Sequence, residues 1–291
     1  MRFDFAAEIA RVQAEASQTF ADAFRGVPPP AHVADLPHVL VTGFGRFLHH
    51  TENATGHLVA ELVPEARYPR TVRGSLADVD APAPQFSIGW NKVTLAKVGA
   101  VALCGMIVPS HWGLGPLLLR KQLAAMKAQL VMMNGIATPK QPLWIELGAA
   151  NRAAAKVDGS GILRPTERKA GQGQALAARG PSTYSSRSAF FALRSAARKR
   201  IARETSLHSA LVGAEFQVFA RAENRYLCNE LTYAACDLLR RRRASHVFLH
   251  WPSTLNASHM ASMAKVARAL ISAELASDPE ERLLGRAVRV R

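Results

Sequence analysis

Short runs of β-branched and aliphatic residues recur along this chain with helix-length segments between them. That alternation constrains the fold more than any other feature. Residues 38–43, 98–108, 129–133, 215–221 and 247–252 read as strands, several of them stopped by a glycine, a proline or an Asn-Gly pair. The runs are apolar throughout rather than alternating with polar residues, which suits strands buried on both faces. Helical patterns at 53–62, 115–128, 186–204, the segment after Tyr226 and 257–275 fall between or after them. The pattern predicts an α/β protein: a single three-layer α/β/α domain with a mostly parallel central sheet. Residues 65–97 are polar and proline-bearing, and read as an excursion with one or two short strands. Residues 152–181, rich in Gly, Arg and Ala, read as a long surface loop with the composition of a lid.

An N-terminal extension precedes this domain. Residues 5–25 carry Phe5, Ile9, Val12, Phe20 and Phe24 at mostly helical intervals, and Gly26 and Pro28 to Pro30 stop the pattern. Residues 1–37 therefore read as a helix and a stiff Pro-rich linker, packed on the body or on a partner, and 38–291 as the α/β domain. Residues 1–8 carry acids and lack the apolar core of a secretory signal, and no apolar run approaches the roughly 20 residues of a spanning helix. Three cysteines without a Cys-x-x-Cys pair suit a reducing compartment, so a cytoplasmic protein with no membrane contact is expected. No His/Cys set has metal-ligand spacing, and neither a metal nor a cofactor is expected. The net charge of +15 is high, but its densest runs, at 194–200 and 240–243, fall in or at the ends of helix patterns. Without aromatic interleaving they read as solvated faces, and no specific nucleic-acid partner is expected.

The chemistry-bearing pair lies near the C-terminus. Cys228 stands where a helix pattern opens, and His250 where the next strand pattern ends. In a parallel sheet, strand C-termini and helix N-termini share one edge, so the two residues can meet there. A helix N-terminus favours thiolate over thiol, and an imidazole exchanges the proton: the requirements of a thiol nucleophile. Each residue alone has a plainer role, as a packed core thiol and a strand-end histidine. Cys104 and Cys236 read as core residues, Met126, Met132 and Met133 as core filler, and His49, His50, His57 and His111 as surface or capping residues. Glu146 among apolar neighbours is more telling, since a buried carboxylate needs a partner.

Several segments resemble one family, the type I pyroglutamyl (pyrrolidone-carboxylate) peptidases, which are cysteine peptidases. Residues 39–47 are similar to its V-x-V-T-G-F-x-P-F start, and residues 50–54 to H-T-x-N-A. Ile107-Val108-Pro109 falls at its strand–proline site. Gly135-Ile136-Ala137-Thr138 with Trp144 to Leu147 and Asn151 resembles its G-x-A…T-x-E-x…N segment. Tyr226-Leu227-Cys228-Asn229 and Phe248 to Pro252 resemble its Y-L-C-N and F-x-H-x-P motifs. The resemblance covers roughly residues 38–275, in the family's order.

It implies Cys228 as nucleophile, His250 as base and then acid, and Glu146 as the group orienting the imidazole. It implies a substrate site formed by Phe44, Phe47, Ile136, Tyr226 and Leu227, where aromatic faces hold a flat lactam. From the residues alone, Phe44 and Phe47 fit ring binding and plain loop packing equally. The implied activity is hydrolysis after an N-terminal pyroglutamyl or related acyl group, on a peptide with a blocked N-terminus. The implied assembly is a homo-oligomer. The sequence departs from the pattern at Arg46 and Leu48, where the family has proline and glycine, at His49, at Asn224, and at the prolines 139 and 142. A diverged, inactive member that binds a ligand or partner through this altered loop is the alternative.

Overall fold

The first strand pattern becomes an inner strand of a seven-stranded sheet. The computed structural model describes residues 15–47, 52–69, 85–137, 142–154, 156, 158–159, 175–186, 188–211, 213–217, 225–242 and 244–278. Strand β1, His38–Phe44, is buried along its whole length. It lies parallel between β3 (Gly99–Val108) and β4 (Ala128–Ala137). On the far side of β4 runs β9, Ser245–Pro252, also parallel. The edges run the other way: β2 (Ser87–Leu95) is antiparallel to β3, and β5 (Leu143–Glu146) is antiparallel to β9 and parallel to β8 (Ala214–Gln217). The order is β2-β3-β1-β4-β9-β5-β8, and β6 (Gly148–Ala150) pairs with β7 (Thr183–Ser185) in a small separate ribbon. The sheet is mostly parallel, as expected.

Side chains alternate across it and feed two cores. Val39, Val41, Leu130, Met132, Val247 and Leu249 face one cluster, which holds α2 (Ala54–Leu62), α4 (Phe190–Ile201) and α7 (Met260–Ala276). Leu40, Val131, Met133 and Phe248 face the other, which holds α1 (residues 15–23), α3 (Leu114–Ala125) and α6 (Leu227–Leu239). A short helix, α5 (Thr205–Ala210), follows α4. Burial on both faces explains the uninterrupted apolar runs. Leu227, Leu231, Ala235 and Leu239, spaced four apart on α6, make the stripe that docks it on the sheet.

Helix α2 starts where β1 ends. Asn53 caps it, its side chain accepting from the Thr55 N–H at 3.0 Å, and the Thr55 hydroxyl accepts from the Phe44 N–H at 3.1 Å. A Cβ on Gly43 would lie 2.2 Å from the Thr55 carbonyl oxygen, so only glycine lets the helix approach β1 this closely.

Residues 15–37 pack on the body. Phe20 and Phe24 set their rings edge-on to Phe86, at 5.5 and 5.1 Å, and Ala21 and Val33 are buried in the α3 cluster. The buried Gln122 side chain of α3 pairs with both polar groups of Val27, accepting from its N–H at 2.8 Å and donating to its carbonyl at 2.9 Å. Residues 5–14 lie outside the described residues.

The excursion at 65–97 does contain a strand, β2, which at nine residues is longer than expected. Other sequence expectations need correction. Helix α4 spans Phe190–Ile201 rather than 186–204, because the Ser186 and Ser188 hydroxyls leave the helix path to donate to the His246 carbonyl. His111 is buried rather than at the surface, because α1 covers it and brings the Ser17 hydroxyl to 3.4 Å from its Nδ1. His57 stacks on Tyr68 at 3.8 Å. His49 and His50 lie outside the described residues.

Candidate active site

On β9, residues alternate across the sheet, so His246, Phe248 and His250 face α6 while Val247, Leu249 and Trp251 face away. His250 has Gly135 of β4 as its neighbour on one side and Trp144 of β5 on the other. Glu146, two residues beyond Trp144, stands opposite Phe248 and projects to the same face. Its Oε1 reaches His250 Nδ1 at 3.0 Å, with the two side chains 1% and 4% exposed. The Cys228 side chain also interacts with this imidazole. Carboxylate, imidazole and thiol are thus contributed by an antiparallel strand, a parallel strand and a helix.

The electrostatics follow from this arrangement. Burial opposes a charged imidazole, but the Glu146 carboxylate and the Cys228 sulfur outweigh it and push His250 up to about 10. The sulfur sits half-buried on the second residue of α6, after Tyr226 leaves the strand-like backbone. Below the sulfur, β4 passes with no side chain: a Cβ on Gly135 would lie 2.8 Å from Cys228 Sγ. Asn229 fixes the helix start, accepting from the Ala150 N–H and donating to the Ala150 and Arg152 carbonyls, each at 2.9 Å.

A second thiol–imidazole pair lies deeper on the same helix and strand. Cys236 Sγ is 3.0 Å from His246 Nε2, and both are buried. Here burial holds the imidazole down to about 4 and pushes the thiol up, so both stay neutral at pH 7. The same two residue types occur together in both places, but of the two histidines only His250 has a carboxylate partner among the described residues, Glu146.

Around the sulfur are aromatic rings. Phe47 meets Tyr226 edge-on at 5.7 Å, and Trp112 meets Tyr226 edge-on at 5.1 Å. Phe44 and Leu227 are buried in the cluster that Phe47, Tyr226, Trp112 and Cys228 pack against. Ile136 is half-buried and packs against the cluster on the opposite face of the sheet, so no described contact brings it to these rings. Arg46 is half-buried; Leu48, Asn224 and Pro139 lie outside the described residues. Trp112 was not anticipated from sequence. Its one signal is its position just past Val108-Pro109, at the strand edge where Cys228 and His250 meet. Among the described residues no group of three or more His, Cys, Asp or Glu could hold a metal ion, and no helix is long and apolar enough to cross a membrane.

This fold has counterparts among solved structures. No protein-family model and no curated protein matches the sequence. Pyroglutamyl peptidase I of Bacillus amyloliquefaciens is 19% identical, with 84% of this chain and 98% of that chain covered and a TM-score of 0.54. Pyrrolidone carboxyl peptidase of Thermococcus litoralis is 16% identical over 82% of this chain and 94% of that one, with a TM-score of 0.56. Its counterpart from Fervidobacterium islandicum is 16% identical over 81% and 97%, at 0.54. The chain is thus an α/β protein with a peptidase fold. More particularly, the fold is that of the pyroglutamyl and pyrrolidone carboxyl peptidases.

Proposed function

We propose that the chain is a cysteine-type omega-peptidase that hydrolyses the amide bond after an N-terminal pyroglutamyl or related acyl group. The observation that carries this reading is the buried contact of Glu146 with His250, an imidazole that also interacts with Cys228. The Cys228 thiolate attacks the acyl carbonyl, and the resulting oxyanion meets backbone N–H groups at the start of α6. The C–N bond breaks as His250 gives its proton to the leaving amine, which forms a thioester. His250, now neutral, takes a proton from water as that water attacks the thioester, and the acid and the thiolate–imidazolium pair are released. Glu146 holds the imidazole with Nδ1 protonated, so the other nitrogen faces the sulfur. Phe44, Phe47, Tyr226 and Leu227 form the acyl site; Ile136, which packs on the opposite face of the sheet, does not join them. The steps need no cofactor. Residues 38–291 form the catalytic domain, with 1–37 as an accessory segment, and three free cysteines suit a reducing, cytoplasmic setting.

Release of a fluorescent amine from a pyroglutamyl amide under reducing conditions tests this. Turnover by the wild type and none by Cys228→Ala is the expected result; equal turnover by both ends the proposal. Arg46 and Leu48, standing where the resembled family has proline and glycine, favour a second reading: a binding protein without turnover. A folded protein with an unreactive Cys228 would select it.

A further inference from the structure

The loop after β3 and the stretch after β6 meet beside Tyr226. The Trp112 indole N–H donates to the Lys156 carbonyl at 2.9 Å, and its backbone N–H donates to Asp158 Oδ2 at 3.2 Å. The Gly159 N–H donates to the Ser110 carbonyl at 2.6 Å. The stretch is itself fastened to the start of α6, by Asn229 at Ala150 and Arg152, and by the Ala154 N–H donating to the Arg225 carbonyl at 2.6 Å. Trp112 is therefore held at both its backbone and its ring nitrogen, a two-point constraint that fixes the plane of the indole. That plane meets Tyr226 at 83°, and Tyr226 meets Phe47 at 77°, which gives a row of three rings beginning two residues before Cys228. Asp158 is buried, and its charge joins burial in holding the Tyr226 hydroxyl protonated.

We propose that Trp112 is a specificity-determining residue of this site, and that Asp158 is the positioning residue that holds it in place. The row Phe47–Tyr226–Trp112 selects acyl groups that present a flat, uncharged ring. This rests on the peptidase reading above. Two physical points support it. Edge-to-face rings present π-faces to a guest lying between or beside them, which favours planar groups over branched ones. A buried carboxylate behind the row disfavours an anionic acyl group by like charge.

The test compares wild type, Trp112→Ala, Trp112→Phe, Asp158→Ala and Asp158→Asn in two assays. In the first, Trp112→Ala raises KM for a pyroglutamyl amide roughly three- to tenfold, the value of one aromatic contact, and leaves kcat nearly unchanged. Trp112→Phe recovers part of the loss. Asp158→Ala shifts KM in the same direction, and Asp158→Asn, which keeps an acceptor for the Trp112 N–H, restores it. In the second assay, Cys228 alkylation by N-phenylmaleimide is measured against iodoacetamide. Trp112→Ala lowers the preference for the ring-bearing reagent severalfold while the iodoacetamide rate stays within about twofold. Wild-type alkylation with no pyroglutamyl turnover would end the peptidase reading and leave the reagent preference as the test of Trp112. An unchanged preference and an unchanged KM in a folded Trp112→Ala would overturn the role of Trp112. Failure of either reagent to modify wild-type Cys228 would overturn both.

Discussion

Gly135 stands directly beneath the sulfur of Cys228: a methyl group on its Cα would come 2.8 Å from Sγ and 2.8 Å from the ring of Phe248. Strand, helix and aromatic ring meet there with no spare volume. Gly135→Ala must displace the sulfur or the Phe248 ring, at a cost of about 1–3 kcal/mol in stability. A displacement of about an ångström lowers kcat/KM on a pyroglutamyl amide roughly 10²-fold. Denaturant midpoints and initial rates check both; an active, fully stable Gly135→Ala would contradict this account of the site.

Glu146→Gln removes the charge that holds His250 up at about 10. Burial then dominates and drives the imidazole below its ordinary value. The predicted outcome is a loss of roughly 10²-fold or more in kcat/KM at pH 7, with the alkaline limb of the pH profile moved toward neutrality. Stability responds as well. A folded-state value above the unfolded one stabilises fully below about 6.5 and ceases to do so as pH rises through about 10. The urea midpoint of the wild type therefore declines across that window. Glu146→Gln should flatten the decline, which equilibrium unfolding at several pH values measures.

Cys236 offers the contrast. Cys236→Ser should retain peptidase activity within about twofold while losing about 1–2 kcal/mol of stability, since a hydroxyl replaces a buried thiol that packs against His246. Under native conditions iodoacetamide should label Cys228 and spare Cys236 and Cys104, both buried. Peptide mapping by mass spectrometry reads this directly; rapid labelling of Cys236 in the folded protein would refute it.

Gln122→Ala leaves the Val27 N–H and carbonyl without their side-chain partner. A loss of about 1–3 kcal/mol is expected. Cleavage by a protease near residues 26–30 should accelerate, because this bond pair pins the linker to α3. Limited proteolysis followed by N-terminal sequencing checks it.

The parallel centre of the sheet was legible because burial on both faces leaves a signal composition cannot hide: Leu40, Val41, Val131 and Met132 all had to be apolar, whichever way each points. Strand β2 was obscured because its second half carries Lys92 and Thr94 to solvent, which reads as loop. Cys228, His250 and Glu146 could be picked out by order and type, and the structure adds how they meet: the His250–Glu146 contact requires β5 to run antiparallel to β9, which no local pattern announces. His111 and Trp112 were hidden for a different reason. Their surroundings come from distant stretches, Ser17 for one and Lys156 and Asp158 for the other, so neither residue's neighbours in sequence hint at its role.

The two thiol–imidazole pairs share a hidden metric. Eight residues of helix separate Cys228 from Cys236, a rise of about 12 Å, and four residues of strand separate His246 from His250, about 13 Å. Because α6 and β9 run in opposite senses, these steps are commensurate, and a cysteine and a histidine placed at either end of the ladder come into register without further adjustment. Bringing sulfur next to imidazole is thus a property of the scaffold's spacing, repeated at both ends. What the Cys228 and His250 pair alone possesses is the first turn of a helix and a strand delivering one carboxylate, and the proposed reactivity rests on those two features.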